Sequence, residues 1–257
     1  KKHIYILVIL INLSSCAFKK KFIYFNSSSI KTQQKNFFTT LKSGDILNID
    51  VFNGNKESVE PFNFPKPNTN SIAGYVNGIP ATPGYVIDNE GYIDFPTIGK
   101  IKIMGLTTIE ATNLIKEQIK TYVSNPVINL RILNFKVTVL GEVRNPNTFL
   151  IPNERITILE ALGLAGDLLI SGVRKEVIVI RDINGIKQEY TVDLTSKDIF
   201  DSPVYYLTQN DVVYVKPNQA KINSSTVSSS YGIFISIASL LITTINVISK
   251  WKILILK

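Results

Sequence analysis

The single cysteine of the 257-residue chain, Cys16, is the residue whose position most directly predicts a chemical modification. A lone thiol cannot close an internal disulfide and supplies at most one ligand to a metal, so neither a disulfide-stapled fold nor a zinc module is expected. Cys16 follows a basic start and an apolar run from Ile4 to Leu13, the pattern of a secretory signal peptide. Because about ten helical residues rise only about 15 Å, half of a hydrocarbon core, a cleaved signal is favoured over a permanent span.

The four residues Leu13-Ser14-Ser15-Cys16 resemble the bacterial lipobox. That resemblance implies that the thiol of Cys16 accepts a diacylglycerol, that cleavage occurs before it, and that Cys16 becomes the first residue of a lipoprotein. The competing interpretation is an incidental cysteine in a degraded signal. A mature lipoprotein with three acyl chains is anchored firmly, since each buried methylene contributes about 0.8 kcal/mol.

A second set of residues with a chemically meaningful spacing lies near the C-terminus. Residues 231–249 carry no charge over 19 positions, which as a helix is about 28 Å and close to the hydrocarbon thickness. Within this run a polar stripe recurs at spacings of three and four, and we predict four of its members to line a pore: Ser236, Ser239, Thr243 and Asn246. A single helix cannot enclose a channel, so a water-facing stripe needs a ring of copies. The alternative is that these residues mediate helix packing.

Other reactive groups do not converge on an enzyme. The only histidine, His3, lies inside the predicted signal, and Cys16 is consumed by lipid. Asp88, Glu90 and Asp94 could in principle act as glycosidase carboxylates, but their place beside Gly91 favours turn chemistry and surface solvation. We therefore expect no enzymatic activity, no cofactor and no metal site.

The net charge of +8 does not indicate a nucleic-acid partner, because many lysines lie at the signal, at residues 19–21 and at the C-terminus, where membrane flanking explains them. A hydrophobic content of 45% and a charged content of 19% are typical of a globular protein. About 240 residues after the signal are enough for two small domains.

Alternating residues predict the strands of a first domain. These begin with "DILNIDVF" after a Ser43-Gly44-Asp45 turn, and a long Pro- and Asn-rich loop follows over 53–84, with no role that the sequence assigns. The run "GYVIDNEGYIDFPTIGKIKI" predicts a hairpin about the turn at 88–91. Thr107 and Glu110 form the signature of a capping box for a helix that Asn125-Pro126 ends, and "VINLRIL" is the closing strand.

A second domain repeats this kind of pattern. "KVTVLGEVRNPNTFLI" predicts two strands, Thr157 and Glu160 predict a second capping box, and Gly166 is placed to end that helix. Three further strands complete a β-grasp-like unit: "EVIVIRD", "QEYTVDL" and "DVVYVKP". One internal echo is visible, since "LKSGDILNIDV" and "LTQNDVVYVKP" both place Leu four residues before Asp.

These stretches carry a family resemblance. "LKSGDILNIDVF" through "NPVINLRI" resembles the polysaccharide export (PES) domain, and "VTVLGEVRNPNTFLI" with "TILEALGLAGDL" resembles the SLBB domain. With the lipobox, the combination is similar to Wza-like outer-membrane polysaccharide export lipoproteins. The resemblance implies a homo-oligomeric ring that exports capsular polysaccharide or exopolysaccharide and works with an inner-membrane copolymerase and tyrosine-kinase-type partner. The chain shows one SLBB module where larger members have two, which implies a shorter periplasmic body.

The predicted fold class is therefore α+β, with two small mixed domains and a C-terminal amphipathic membrane-spanning helix. The expected location is the outer membrane, with a lipid anchor and a periplasmic body. The predicted divisions are a signal peptide (1–15), a lipid tether (16–36), the PES domain (37–133), the SLBB domain (134–217), a linker (218–230), the transmembrane helix (231–250) and a tail (251–257).

A binding module is the competing function. In that interpretation the two domains hold saccharide or a partner at the cell envelope, and the C-terminal helix is only a second anchor. The stoichiometry of the extracted complex discriminates between the two, because a channel needs a ring and a binding module does not.

Overall fold

The computed structural model of the chain describes residues 23–26, 38–64, 75–76, 79–80, 84–183, 185–226, 234 and 236–244. Cys16, Asn246 and most of the predicted tether lie outside these residues. The described part forms two mixed domains that share one continuous apolar core. Phe135, which is fully buried, lies at the junction between them.

The first domain contains ten regular segments: β1 (Ile46–Phe52), α1 (Lys56–Val59), a 3-10 turn (Glu60–Phe62), β2 (Tyr75–Val76), β3 (Ile79–Pro80), β4 (Tyr85–Val86), β5 (Tyr92–Phe95), β6 (Gly99–Lys102), α2 (Thr108–Ile119) and β7 (Val127–Ile132). Its main sheet has the order β4-β1-β7 with antiparallel pairs, and β5 and β6 form a separate antiparallel pair. The first predicted strand is thus the centre of a three-stranded sheet.

The hairpin predicted about residues 88–91 is wrong in its strand partners. β4 pairs with β1, whereas β5 pairs with β6 through a turn in which Thr97 has φ 66°. Asp88 does make the predicted turn, since its Oδ1 accepts from the N–H groups of Glu90 at 3.0 Å and Tyr92 at 2.8 Å. The alternation of residues in the sequence predicted the strands correctly. The residues after the turn at 88–91 nevertheless form a complete hairpin, β5–β6, by themselves.

The segment predicted as a long loop over 53–84 contains regular structure. It carries α1, the 3-10 turn and the short β2–β3 pair. Val59 and Phe62 are buried in the core. Part of this segment therefore contributes to the folded first domain.

The second domain contains the remaining strands and a short helix: β8 (Lys136–Gly141), β9 (Asn147–Leu150), β10 (Ile156–Thr157), α3 (Ile158–Leu164), β11 (Gly172–Ile183), β12 (Ile186–Val192), a 3-10 segment (Lys197–Asp201), β13 (Tyr206–Leu207) and β14 (Val212–Pro217). The five-stranded sheet has the order β12-β11-β14-β8-β9. Its first and last long strands, β8 and β14, are parallel neighbours.

Both predicted capping boxes are confirmed. Thr107 Oγ1 accepts from the Glu110 N–H at 3.2 Å while Glu110 Oε2 accepts from the Thr107 N–H at 2.8 Å. Thr157 and Glu160 make the same reciprocal pair at 3.1 and 2.7 Å. These bonds satisfy amide groups that a helix start otherwise leaves without partners.

The residues after β14 are helical in two places. A helix, α4 (Gln219–Thr226), occupies part of the segment predicted as a linker, and residues 236–244 are helical within the predicted membrane span 231–250. None of the helices within the described ranges has the length and apolarity that crossing a membrane requires. The span therefore stays a prediction.

Candidate functional site

The predicted pore-lining residues fall partly within the described chain. Ser236, Ser239 and Thr243 lie on the helical residues 236–244, and their spacing places them within about 60° of one another on a helix of 3.6 residues per turn. Ile237 and Leu241 lie on the opposite side. The predicted stripe therefore forms one face of this helix, with Leu240 at its border.

The hydroxyl groups of this stripe find acceptors inside their own helix. The Ser239 hydroxyl donates to the Ser236 carbonyl oxygen at 2.8 Å, and the Thr243 hydroxyl lies 3.0 Å from the Ser239 carbonyl and 2.8 Å from that of Leu240. Such bonds to the preceding turn are common for Ser and Thr in helices. The hydroxyl donors of Ser239 and Thr243 would therefore stay satisfied even in hydrocarbon, so these two residues do not by themselves require a water-filled lumen.

The other face of this helix is apolar and exposed. Phe234, Ile237, Leu241 and Ile242 on this face, and Leu240 at its border, are 50% to 67% exposed in the single chain. Clusters of exposed large hydrophobic residues mark contacts with lipid or with other protein. The helix accordingly has one hydroxyl-bearing face and one face that needs an apolar partner.

A short segment of the predicted tether docks on the second domain. The Tyr24 hydroxyl donates to Asp167 Oδ1 at 2.5 Å, and the Arg174 guanidinium lies 5.6 Å from the Tyr24 ring centroid. Burial, reinforced by Asp167, raises the pKa of the Tyr24 hydroxyl well above its usual range, so the hydroxyl stays a donor at physiological pH. We call residues 24–26 the docking strap.

The backbone of the docking strap is bonded as well. The N–H groups of Phe25 and Asn26 donate to the carbonyl oxygens of Leu194 at 3.2 Å and Thr195 at 2.7 Å, and the Phe25 ring stacks on Phe200 with centroids 5.4 Å apart. This segment lies within the predicted lipid tether (16–36), for which no contact with the second domain was predicted. The aromatic cluster "FIYF" was the available signal, because large aromatic side chains favour burial.

The junction between the domains is held by polar contacts around Glu154. The Ile132 N–H donates to Glu154 Oε1, and the Thr39 hydroxyl donates to the Glu154 carbonyl oxygen at 2.8 Å. Burial raises the pKa of Glu154, opposed by the Ile132 amide and the charge of Arg131. Asn134, between the two domains, adds a second link: its Oδ1 accepts from the Ile46 N–H at 2.9 Å, and its carbonyl oxygen accepts from Gln209 Nε2 at 2.7 Å.

An open cleft lies beside the C-terminal end of β1 in the first domain. It has a volume of about 530 Å³, and its lining includes Phe52, Phe64, Asp50 and Glu57. Both aromatic rings are partly exposed, at 47% and 37%. Such a cleft combines apolar surface with hydrogen-bond acceptors, the usual composition of a small-ligand site.

The described residues offer no evident metal centre. Nowhere in those ranges do three His, Cys, Asp or Glu side chains come together as metal ligands. The polar contacts identified above hold the docking strap and the domain junction.

Comparison with known proteins matches both domains to sequence families. The family described as polysaccharide biosynthesis/export protein matches residues 33–133, and the SLBB domain family matches residues 135–215. The two matched regions follow one another directly and include most of the described strands and the two capped helices.

Two curated relatives share this region. The chain is 29% identical over 181 residues to the EPS I polysaccharide export outer membrane protein EpsA of Ralstonia solanacearum, covering 69% of this chain and 47% of the relative. It is 33% identical over 129 residues to the protein of the same name from Ralstonia nicotianae (strain ATCC BAA-1114 / GMI1000), covering 49% of this chain and 34% of the relative. The chain thus spans half or less of the length of these relatives.

Proposed function

The chain joins a polysaccharide biosynthesis/export domain to an SLBB domain, and from this premise we propose that it is a subunit of an outer-membrane translocon for capsular polysaccharide or exopolysaccharide. The observation that carries the proposal is the pairing of these two domains in a chain whose relatives are named polysaccharide export outer membrane proteins. The role is transport, so the chain binds and guides a polymer and makes or breaks no covalent bond in it.

The anchor of this subunit is a lipid on Cys16, with a periplasmic body attached to the outer membrane. The lipobox supports the modification, and the docking strap supports the attachment, because it ties the chain just after Cys16 to the folded second domain. Intact mass of the membrane-extracted protein tests the anchor. Cys16→Ser should lose the acyl mass and keep the uncleaved signal, and an unchanged mass would refute lipidation.

The channel is a homo-oligomeric ring of C-terminal helices, with Ser236, Ser239, Thr243 and Asn246 facing the lumen. The two-faced character of the helical residues 236–244 supports this arrangement, because a ring of such helices turns hydroxyl groups inward and apolar side chains outward. The intrahelical bonds of Ser239 and Thr243 are compatible with a lumen, since each hydroxyl oxygen retains acceptor capacity for water.

The polymer reaches this ring from the inner membrane. The family resemblance of the two domains supports a polysaccharide copolymerase and tyrosine-kinase-type protein as the partner there. No nucleic acid is a partner in this scheme.

The deciding experiment is the mass and shape of the complex extracted in mild detergent, combined with export in a deletion strain. A homogeneous ring, together with restored polymer at the cell surface, supports the translocon. A monomer that nevertheless restores export contradicts the ring.

A cysteine scan tests the pore-lining face within such a complex. Single cysteines at Ser239 and Thr243 should react with a small water-soluble thiol reagent, whereas Ile237→Cys and Leu241→Cys, on the opposite side of the helix, should not. Bulky adducts on the stripe should block export. Equal reactivity on both faces would leave the helix as an anchor.

The second candidate is a binding module that holds saccharide at the envelope without forming a pore. The cleft with Phe52 and Phe64 favours it, because aromatic surface beside carboxylate acceptors suits a sugar with several hydroxyl donors. Phe52→Ala should weaken binding of the native polymer by a monomer if this candidate is correct. An export defect with unchanged polymer binding supports the channel.

A further inference from the structure

The loop between α3 and β11 presents an apolar tip to solvent. Ile170 is 79% exposed, more than any other large hydrophobic side chain in the described residues, and the preceding Leu169 is 39% exposed. We call residues 168–170 the apolar tip. Exposed aliphatic side chains at the end of a loop are typical of surfaces that another phase or molecule covers.

The apolar tip is held firmly in the fold. The buried guanidinium of Arg174 donates to the carbonyl oxygens of Leu168 and Leu169, at 3.4 and 3.3 Å, and the Leu169 N–H donates to the Glu142 carbonyl oxygen at 3.0 Å. On the other side of Ile170, the Ser171 carbonyl oxygen accepts from the Asn218 N–H at 2.7 Å. The backbone on both sides of Ile170 is thus fixed, and its side chain is displayed.

Positive charge borders the apolar tip. Arg144, Lys221 and the tip line one cleft of about 710 Å³, and Asp167 is the only acidic residue in its lining. The Asp167 carboxylate already accepts from the Tyr24 hydroxyl. An apolar tip with a basic border is complementary to an anionic lipid surface, in which acyl chains lie below phosphate groups.

Two chain segments that lead to the predicted membrane attachments meet at this same end of the domain. Tyr24 of the docking strap contacts Asp167 beside the tip, and it lies only eight positions after Cys16, a reach of at most about 28 Å. Lys221 lies on α4, which ends at Thr226, five residues before Tyr231, where the predicted membrane span begins. A lipid on Cys16 therefore keeps the apolar tip close to the membrane surface.

We propose that the apolar tip is a membrane-contact surface, in which Ile170 and Leu169 enter the headgroup region of an anionic bilayer while Arg144 and Lys221 contact its phosphates. Of the proposed function, this proposal needs only the lipid anchor on Cys16. It requires neither a pore nor a ring.

The test uses the full chain in vesicles of equal parts phosphatidylglycerol and phosphatidylcholine. A polarity-sensitive fluorophore is attached to Ile170→Cys, and quenching by lipids with a spin label near the headgroup is measured. The matched control is Ile186→Cys, which is 66% exposed and begins β12, paired with Ile183 at the end of β11 remote from the tip. The 12 residues of β11 span up to about 36 Å at about 3.3 Å per residue. The chain without either substitution gives the labelling background of Cys16.

The fluorophore at position 170 should be quenched severalfold more strongly than that at 186. The difference should shrink in pure phosphatidylcholine and in the double variant Arg144→Gln/Lys221→Gln, because both remove the attraction between cations and phosphates. Equal quenching at the two positions would overturn the proposal. So would a fluorophore at 170 that is shielded from both lipid and aqueous quenchers, since a second copy of the chain then covers the tip.

Failure of this proposal is distinguishable from failure of the proposed function. A monomer without export activity that still shows selective quenching at 170 keeps the membrane contact and removes the translocon. A ring that exports polymer without selective quenching does the reverse.

Discussion

Two turns of the molecule share a sequence spacing and a hydrogen-bond pattern but hold their buried carboxylates differently. In the first domain the Lys42 N–H donates to Asp45 Oδ2 at 2.9 Å and the Asp45 N–H donates back to the Lys42 carbonyl oxygen at 3.2 Å. In the second domain Thr208 and Asp211 make the same two bonds at 2.8 and 3.1 Å. A strand follows each turn, β1 and β14 respectively.

The difference lies in the partner of the carboxylate. Asp211, with no exposed surface, receives Arg181 Nη2 at 2.7 Å and Nε at 3.1 Å. Asp45 is also buried, at 1% exposed, but forms no ion pair with any described residue. Burial raises the pKa of Asp45, opposed by the amide and the charge of Lys42.

Each turn therefore needs an acceptor oxygen at its aspartate, whereas only the turn of the second domain needs a negative charge there. Both aspartates bond the amide three residues earlier, which a neutral amide side chain can also do. At Asp211 the negative charge additionally compensates a guanidinium that is mostly buried. Removing one member of such a pair leaves an uncompensated charge inside the protein.

The largest expected effect therefore follows from neutralising Asp211. Asp211→Asn should lower the free energy of unfolding by about 3–5 kcal/mol, because Arg181 then keeps its burial and loses its counter-charge. Asp45→Asn should cost less than about 1 kcal/mol. Chemical denaturation of the two variants measures both values.

An exposed ion pair supplies the control for this measurement. Asp182 and Lys187 are 2.7 Å apart, with side chains 39% and 69% exposed, so Asp182→Asn should leave the denaturation midpoint nearly unchanged. Equal losses of unfolding free energy in Asp45→Asn and Asp211→Asn would contradict the proposed difference between the two turns, since the ion pair with Arg181 would then add no stability.

The two turns have one further feature in common: a buried leucine lies four residues before each aspartate. Leu41 and Leu207 are 1% and 0% exposed, so Leu41→Ala and Leu207→Ala should each cost about 2–5 kcal/mol through lost burial and the remaining cavity. Leu164→Ala, at a side chain 51% exposed, should be far milder. A tolerated Leu41→Ala beside a damaging Leu207→Ala would show that the two turns differ in more than their carboxylates.

The two capping boxes give a smaller and more symmetrical effect. Thr107→Ala and Thr157→Ala should each destabilise by about 1 kcal/mol, because each removes one side-chain acceptor at a helix start. Thr107→Ser and Thr157→Ser keep the hydroxyl and should recover most of the loss. A loss in the alanine variants that serine does not restore would assign it to the threonine methyl group.

Local motifs were the part of this structure that could be predicted. The capping boxes, the Gly166 helix end and the Leu-to-Asp echo each depend on residues within four positions, so their chemistry is visible in the sequence. Asn218, which accepts from the Lys221 N–H at 2.9 Å, was a similar signal for α4 that the linker interpretation missed.

Contacts between distant segments could not be predicted in the same way. The docking strap joins Tyr24 to Asp167, which lie far apart in the sequence. β5 pairs with β6 and not with the strand before residues 88–91, although the residues of both candidate partners alternate in the same way. Arg181 and Asp211 are thirty residues apart, and only the register of β11 against β14 brings their ends together. For the candidate site, the spacing of Ser239 and Thr243 predicted their common face. It did not reveal that their hydroxyl groups bond back to the helix.

The smallest expected effect is a difference in pH dependence, which sharpens the comparison at Asp45. The pKa of Asp45 is higher in the folded chain than the ordinary value of about 3.9, so the folded state binds this proton more tightly than the unfolded state does. The stabilisation from protonated Asp45 is thus complete below the unfolded pKa and is lost as pH rises through the folded pKa.

Asp45→Asn keeps a neutral side chain at every pH, so its stability relative to the unsubstituted chain should improve as pH rises from about 3.9 toward neutrality. Denaturation midpoints across that range measure the difference. The nearby charge of Glu154 raises the pKa of Asp45, and therefore Glu154→Gln should move the change to lower pH. A relative stability of Asp45→Asn that falls with rising pH would mean that ionised Asp45 stabilises its turn as Asp211 stabilises its own.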